Sequence, residues 1–374
     1  MKKVNISQVD TIFVDGSYPI EYLLYYKEGV NTEQLRTAMK ELSSDFWPLF
    51  GRYDRGQIYF EKYSEQEHFD EEESNREFNR KASEKDVHEH YGRMIPSEWE
   101  TQFFLKVIQY PNGMVLIPKL KHLAGDGYSY FYFLSILAAL SKGTRMTASK
   151  KLMYSLYKPH HERTVLKDFH FSGMEFDPFE DKKITVSEMK KIPKSDIRTR
   201  IKKIASKLDQ RVSSNDILSA MIIKELVSNK KGSFSETFQL VIPIDVRKHI
   251  KEYGLKFIGN ALFLNSTHFK NKDVMHSGVD DIAVEIRRSM PSVTKELYLE
   301  YLVRLEDYIT KGQKEKLRAF DPEEEFLITN LSKLPVDRLD FGKGPPDLIF
   351  PLTIEKNAAG IMADEENYIL RFTY

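Results

Sequence analysis

His122, Asp126 and Gly127 stand in an H-x-x-x-D-G arrangement within KHLAGDGYSYFYFLSILAAL, residues 121–140. Imidazole is a base near neutral pH without any tuning, so one well-placed histidine can take the proton of an attacking hydroxyl or amine. The aspartate suits a different task. A carboxylate just before a helix accepts the orphan amide hydrogens of its first turn, and the glycine after it lets backbone approach closely. The chain contains no cysteine, which excludes disulfides, thiolate nucleophiles and cysteine-ligated metal.

The flanking residues say how these groups are held. Met114, Leu116, Pro118, Leu120 and His122 alternate with Val115, Ile117, Lys119 and Lys121, a two-residue period that predicts a strand with one largely apolar face ending at the histidine. Phe131, Leu134, Leu137 and Ala138 then recur at helical spacing. Pro111-Asn112-Gly113 marks a hairpin between Thr101–Tyr110 and Met114–Lys121. His122 as a core histidine with satisfied hydrogen bonds is the plainer alternative to a base.

Upstream, Tyr22–Lys27 reads as a buried strand and Asn31 as the cap of a helix with Leu35, Ala38, Met39, Leu42 and Phe46 on one face. Trp47–Tyr53 marks a tight turn, and Gln57–Phe60 a strand. The charge-rich stretch Ser64–Arg80 reads as a solvated loop or exposed helix, and His68, His88 and His90 as solvated rather than metal-binding. The lysine-rich segment 151–195 reads as a crossover linker in which His160 and His161 are exposed. Beyond it, Ile197, Ile201, Ile204 and Leu208 predict a helix, and Ser213 with Asp216 a capping box. Strands are expected at Phe238–Ile244, Ala261–Ser266, Phe326–Lys333 and Leu348–Thr353, helices at Asp273–Arg288 and Leu297–Lys311, and a hairpin over Gly360–Phe372. Both halves, 1–150 and 196–374, therefore mix helices and strands without the regular alternation of a doubly wound sheet.

A chain of 374 residues with 41% hydrophobic and 30% charged residues has ordinary globular usage, and its length suits two domains. Lysine plus arginine equal aspartate plus glutamate at 56 each, so nucleic acid is not an expected partner. No apolar run has the length of a membrane span and the first residues lack an apolar signal region, so a cytoplasmic monomer is expected.

Several separated segments together resemble the BAHD acyltransferases, within the wider superfamily of thioester-dependent acyltransferases that carry H-x-x-x-D. WPLFGRY resembles the early Y-P-L-A-G-R segment, HLAGDG the motif itself, VSSNDILSAMI the helix start of the second half, IDVR and FIGNA the D-x-R and G-N-A segments, and DFGKGPP (Asp340 to Pro346) the D-F-G-W-G segment. Six ordered matches make a specific signal where H-x-x-x-D-G alone is a weak one. Two departures stand out. Lys343 replaces the usual tryptophan, and Thr329-Asn330-Leu331 keeps only the threonine of T-S-W.

The resemblance implies a mixed α/β fold of two similar domains, as in chloramphenicol acetyltransferase-like folds, with an active-site channel between them. It also implies acyl transfer from acyl-CoA, a co-substrate rather than a tightly bound cofactor, to a small alcohol or amine, with His122 as base and no acyl-enzyme. Asp126 is then structural and paired with Arg247, and Thr329 is a candidate oxyanion contact. Asp340, Gly342 and Gly344 form a bracing turn, and Ser213, Ser214 and Lys343 are candidates to contact coenzyme A. Two rivals remain: condensation from a carrier-protein thioester, whose domains usually show H-H-x-x-x-D-G where this chain has Lys121, and a non-catalytic ligand-binding protein on the same fold.

Overall fold

The computed structural model describes residues 1–92, 94–95, 100–142, 158–171, 174–176, 187–208, 210–229, 236–353 and 355–374. Its strands are β1 (Lys2–Asn5), β2 (Ile20–Tyr26), β3 (Arg52–Asp54), β4 (Gln57–Phe60), β5 (Phe69–Glu73), β6 (Phe103–Tyr110), β7 (Gly113–Leu120), β8 (Ser187–Pro193), β9 (Thr237–Asp245), β10 (Leu262–Lys270), β11 (Glu325–Asn330), β12 (Leu348–Pro351), β13 (Ala358–Ala363) and β14 (Asn367–Thr373). Its helices are α1 (Thr32–Leu42), α2 (Glu84–Tyr91), α3 (Gly127–Ser141), α4 (Lys194–Leu208), α5 (Ser214–Ser228), α6 (Asn271–His276), α7 (Val279–Ser289) and α8 (Lys295–Thr310). Among the described residues the strands form a sheet ordered β12-β2-β7-β6-β5, a second ordered β10-β9-β11-β13-β14-β8, and a small one ordered β1-β4-β3. The fold is mixed α/β.

The strand that leads to His122 is covered on both faces, not one. Met114, Leu116 and Leu120 pack with Leu35, Met39, Leu134 and Leu137 of α1 and α3, while Val115 and Ile117 face Phe78, Val87 and Tyr91 on the other side. Lys119 is also buried there, 3.3 Å from Glu21. A second core joins α5 to its sheet through Ile217, Ile222 and Ile223 against Leu240, Phe326, Ile328 and Ile361. A third draws on both ends of the chain, with Ile6, Ile12, Phe13 and Leu123 against Val246, Phe257, Tyr298 and Leu302. The halves are also interleaved. β12 pairs antiparallel with β2, from Leu348 opposite Tyr25 to Pro351 opposite Tyr22.

Several local expectations are corrected. Within the charge-rich stretch, Phe69–Glu73 is an edge strand parallel to β6, because Lys106 neutralises Asp70 and Glu72 at 2.5 and 2.6 Å and Arg36 takes Glu71 at 2.6 Å. His68 is buried there, with Nδ1 2.9 Å from the Phe103 carbonyl and its ring on Tyr63. His88 is partly buried against Arg371. Of the expected linker, 151–157, 172–173 and 177–186 lie outside the described residues, while Ser187–Pro193 pairs with β14 as a strand. His160 and His161 are tied down, their Nε2 atoms 2.5 Å from the Tyr253 carbonyl and 2.6 Å from that of Asp45. The helix expected over 273–288 breaks at Ser277-Gly278, where the Asp281 carboxylate accepts the Gly278 N–H at 3.2 Å and starts α7.

Candidate active site

His122 leaves the end of β7 and opens a single 3-10 turn, His122–Ala124, before Asp126 caps α3 by accepting the Ser129 N–H at 3.0 Å. The close backbone approach expected at Gly127 falls instead on Gly125, where a Cβ would sit 2.8 Å from Ser129 Cβ; at Gly127 it would meet only Leu331 Cδ2 at 3.6 Å and Leu334 Cδ1 at 3.9 Å. Gly259 is the matching residue on the other side. Its φ of +156° and a Cβ position 2.6 Å from the Phe257 ring leave room only for glycine.

Between these glycines the two halves are joined by a buried ion pair. Arg247 NH1 and NH2 donate to Asp126 Oδ2 and Oδ1 at 2.8 and 2.9 Å, and the Ala261 N–H donates to the same carboxylate at 3.0 Å. Arg247 also donates to the Gly259 and Phe257 carbonyls and sits over the Tyr128 ring, while Asp245 supplies a second carboxylate at 3.0 Å. Burial pushes the Asp126 carboxyl up, but the Arg247 charge and the amide hydrogen bonds outweigh it and hold it below the usual carboxylate range.

His122 itself stacks on Phe13, with ring centroids 3.8 Å apart. Its Nδ1 lies 3.1 Å from Asn260 Oδ1. The Asn260 Nδ2 atom donates to Asp10 Oδ1 at 2.7 Å and to the His122 carbonyl at 2.8 Å, so the amide oxygen is the end turned to the ring. Nδ1 therefore carries the hydrogen, and Nε2 keeps its lone pair. Burial pushes the His122 pKa below 6.5 despite the opposing pull of Asp126 and Asn260, so the ring is neutral at pH 7.

His122, Asp126, Gly127 and Thr329 all line one cavity of about 230 Å³. Phe13, Ile20, Phe131, Leu262 and Leu264 give it apolar walls, and Glu21, Thr353, Glu355 and Arg371 add polar groups. Its wall takes residues from both large sheets, with Ile20 and Tyr22 of β2 from one and Thr329 of β11, Gly360 of β13 and Arg371 of β14 from the other. The other candidates lie outside this wall. Asp340 Oδ1 accepts the Gly342 and Gly344 N–H groups at 2.8 Å each, and those glycines adopt φ of +124° and +105°; Leu339 and Phe341 beside them are core residues. The Lys343 ammonium donates to the Glu28 carbonyl at 2.8 Å. Ser213 caps α5 in a box with Asp216, and Ser214 is its first residue. Sequence reasoning missed Asp10, Phe13, Gly125 and Arg163. Asn260 was visible only as part of a motif. Among the described residues, no group of three or more acidic or histidine side chains is placed to hold a metal ion, and no helix is long and apolar enough to cross a membrane.

The model of the Transferase family matches residues 3–368. No curated protein sequence matches the chain. Among solved structures, TRI101 of F. graminearum, in complex with coenzyme A and deoxynivalenol, superposes with a TM-score of 0.74 at 12% identity, covering 100% of this chain and 95% of its own. Vinorine synthase follows at 0.73 and 17% identity, covering 100% and 90%. The first condensation domain of the CDA synthetase gives 0.62 at 10%, also covering 100% and 90%. The chain belongs to the Transferase family, that of the BAHD acyltransferases, and is an acyl-CoA-dependent acyltransferase.

Proposed function

We propose that the chain passes the acyl group of a coenzyme A thioester directly to a hydroxyl or amine of a small-molecule acceptor, with His122 as general base. The observation that carries this reading is the 3.1 Å contact of His122 Nδ1 with Asn260 Oδ1, an acceptor, which assigns the ring hydrogen to Nδ1 and the free lone pair to Nε2 on a residue of the cavity wall. The Nε2 lone pair takes the acceptor proton as oxygen or nitrogen attacks the thioester carbonyl, and a new C–O or C–N bond forms. The tetrahedral oxyanion collapses, the C–S bond breaks, and the imidazolium returns its proton to the departing thiolate. The protein ends as it began, so no acyl-enzyme is required. Thr329 is proposed as a hydroxyl donor to the oxyanion because it lies in the same wall as His122. Asp126 and Arg247 serve to hold the two backbone segments that carry His122 and Asn260.

That TRI101 holds coenzyme A and deoxynivalenol together supports a thioester donor and a small-molecule acceptor. The likeness to a condensation domain supports a carrier-protein donor less well, at a lower TM-score and with Lys121 before the histidine. The test is acceptor-dependent release of free thiol from a panel of acyl-CoA thioesters, comparing wild type with His122→Ala. Release by the wild type, lost in a variant with an unchanged circular-dichroism spectrum, is the expected result. Undiminished release by His122→Ala overturns the base, and turnover of an acylated carrier protein in place of acyl-CoA overturns the donor.

A further inference from the structure

Behind His122 lies a buried polar chain, Asn260, Asp10 and Arg163, whose residues are not part of the cavity wall. A primary amide has no intrinsic preference for which end it turns to a neighbouring ring, because its oxygen and nitrogen have nearly the same size. At Asn260 the choice is imposed by two acceptors of Nδ2, the His122 carbonyl at 2.8 Å and, from behind, the charged Asp10 carboxylate. Asp10, fully buried, offers Oδ1 to Asn260 Nδ2 at 2.7 Å, and its Oδ2 accepts the Ser7 N–H at 2.7 Å and faces Arg163 NH1 at 3.0 Å. Both carboxylate oxygens thus meet only donors. Arg163, with 1% of its surface exposed, also donates to the carbonyls of Leu123 and Ala124 at 2.9 and 2.7 Å, the two residues that follow the histidine.

We infer that Asp10, held in place by Arg163, is a positioning residue that fixes the orientation of the Asn260 amide and through it the tautomer of His122. This rests on His122 being the base, and it makes a carboxylate 112 positions upstream in sequence decide which ring nitrogen is basic. An ion pair that merely braced the amino-terminal segment would have no such effect.

Asp10→Asn tests the difference, since it keeps the shape and turns one acceptor into a donor. With Ser7 N–H and Arg163 on one side, the new amide keeps its oxygen there and turns its NH₂ toward the NH₂ of Asn260. Of the two close acceptors of Asn260 Nδ2 only the neutral His122 carbonyl then remains. To escape the donor–donor clash Asn260 flips and gives up that bond; its NH₂ then faces Nδ1, and the ring hydrogen moves to Nε2. The analogous aspartate-to-asparagine change in a serine protease lowers kcat about 10⁴-fold through the wrong histidine tautomer. Here a fall in kcat on the order of 10²-fold or more is expected, with KM for acyl-CoA within about threefold of wild type. A second change, Asn260→Asp in the Asp10→Asn background, offers an acceptor to the new amide and to Nδ1 while giving up the donor to the His122 carbonyl, and kcat should recover in part, by about tenfold or more.

The deciding measurement is long-range ¹H–¹⁵N correlation of the histidine rings at pH 8 in the ¹⁵N-labelled full chain, with His122 identified by its loss in His122→Ala. Wild type should show the hydrogen on Nδ1 and Asp10→Asn should show it on Nε2. A wild-type hydrogen on Nε2 overturns the inference without any variant, and so does a folded Asp10→Asn with the Nδ1 tautomer and full kcat. Because the tautomer is read without turnover, failure of His122 as the base, seen as retained activity in His122→Ala, is distinguishable from failure of this assignment.

Discussion

Replacing Asp126 with alanine removes a carboxylate that accepts from Arg247 NH1 and NH2, from the Ser129 N–H and from the Ala261 N–H, all within 3.0 Å. The Arg247 side chain is fully buried, so the variant strands a guanidinium away from water. Breaking one partner of such a pair costs roughly 3–5 kcal/mol; Asp245, still 3.0 Å from Arg247 but 38% exposed, argues for the lower end. Loss of the α3 cap adds about 1 kcal/mol. The sum, about 4 kcal/mol, is a large share of the roughly 5–15 kcal/mol that native proteins possess. In urea followed by circular dichroism, the midpoint should fall by about 1 M or more with little change in slope. The pH dependence has a definite sign. Asp126 is held below the usual carboxylate range, so its contribution is fully present above the unfolded pKa near 4 and is lost as pH falls through its lower folded value. The gap between wild type and variant should therefore be flat from about pH 5 to 8 and close in stronger acid. Changing Arg247 to methionine in the same background should return part of the loss, because no buried charge is then unpaired. An unchanged urea midpoint together with a lost kcat would refute this reasoning and place Asp126 in the chemistry.

Three further outcomes are expected. Since burial pushes His122 down, the acid limb of kcat/KM should have its midpoint below 6.5, and a limb at or above that value in a pH–rate profile would mean that another group is the base. Thr329→Val should lower kcat about 10²- to 10³-fold with KM for acyl-CoA little changed, whereas an unchanged kcat removes Thr329 as an oxyanion donor. Gly125→Ala forces a methyl to 2.8 Å from Ser129 Cβ and 3.2 Å from its Oγ, and should cost roughly 1–3 kcal/mol in a urea titration; an unchanged midpoint would mean that the first turn of α3 yields freely.

What the sequence disclosed was decided locally. Alternation before His122, the Asn31 and Ser213 caps and the Pro111-Asn112-Gly113 hairpin act over a few residues, and the structure places β7, α1, α5 and the β6–β7 turn where those patterns put them. The Arg247 partner of Asp126 was reached through family resemblance, not through spacing. The charge-rich segment misled because Asp70 and Glu72 find their cation on a strand 34 to 36 positions away, and His68 finds its acceptor on Phe103. His160 and His161 misled for the same reason, their acceptors being 93 and 116 positions distant. Asp10 has a local partner in Ser7, at capping-box spacing and bonded at 2.7 and 3.3 Å, but nothing within a turn of Asp10 or Arg163 signals that they meet each other or Asn260.

The spacing of H-x-x-x-D acquires a physical reason from this geometry. Asn260 and Ala261 are neighbours in one extended segment, and each is gripped by one end of the motif: His122 bonds the Asn260 side chain and Asp126 the Ala261 amide. The three residues between must turn within that short span, which the 3-10 turn and the sterically confined Gly125 allow. Their carbonyls face away from water, and Arg163 supplies the donors that Leu123 and Ala124 require. One residue more or fewer would leave either the tautomer-setting bond or the ion pair unmade. The motif is therefore a clamp on the 245–261 segment as well as the carrier of a base, and a change at its aspartate reaches the imidazole through the backbone that bears Asn260.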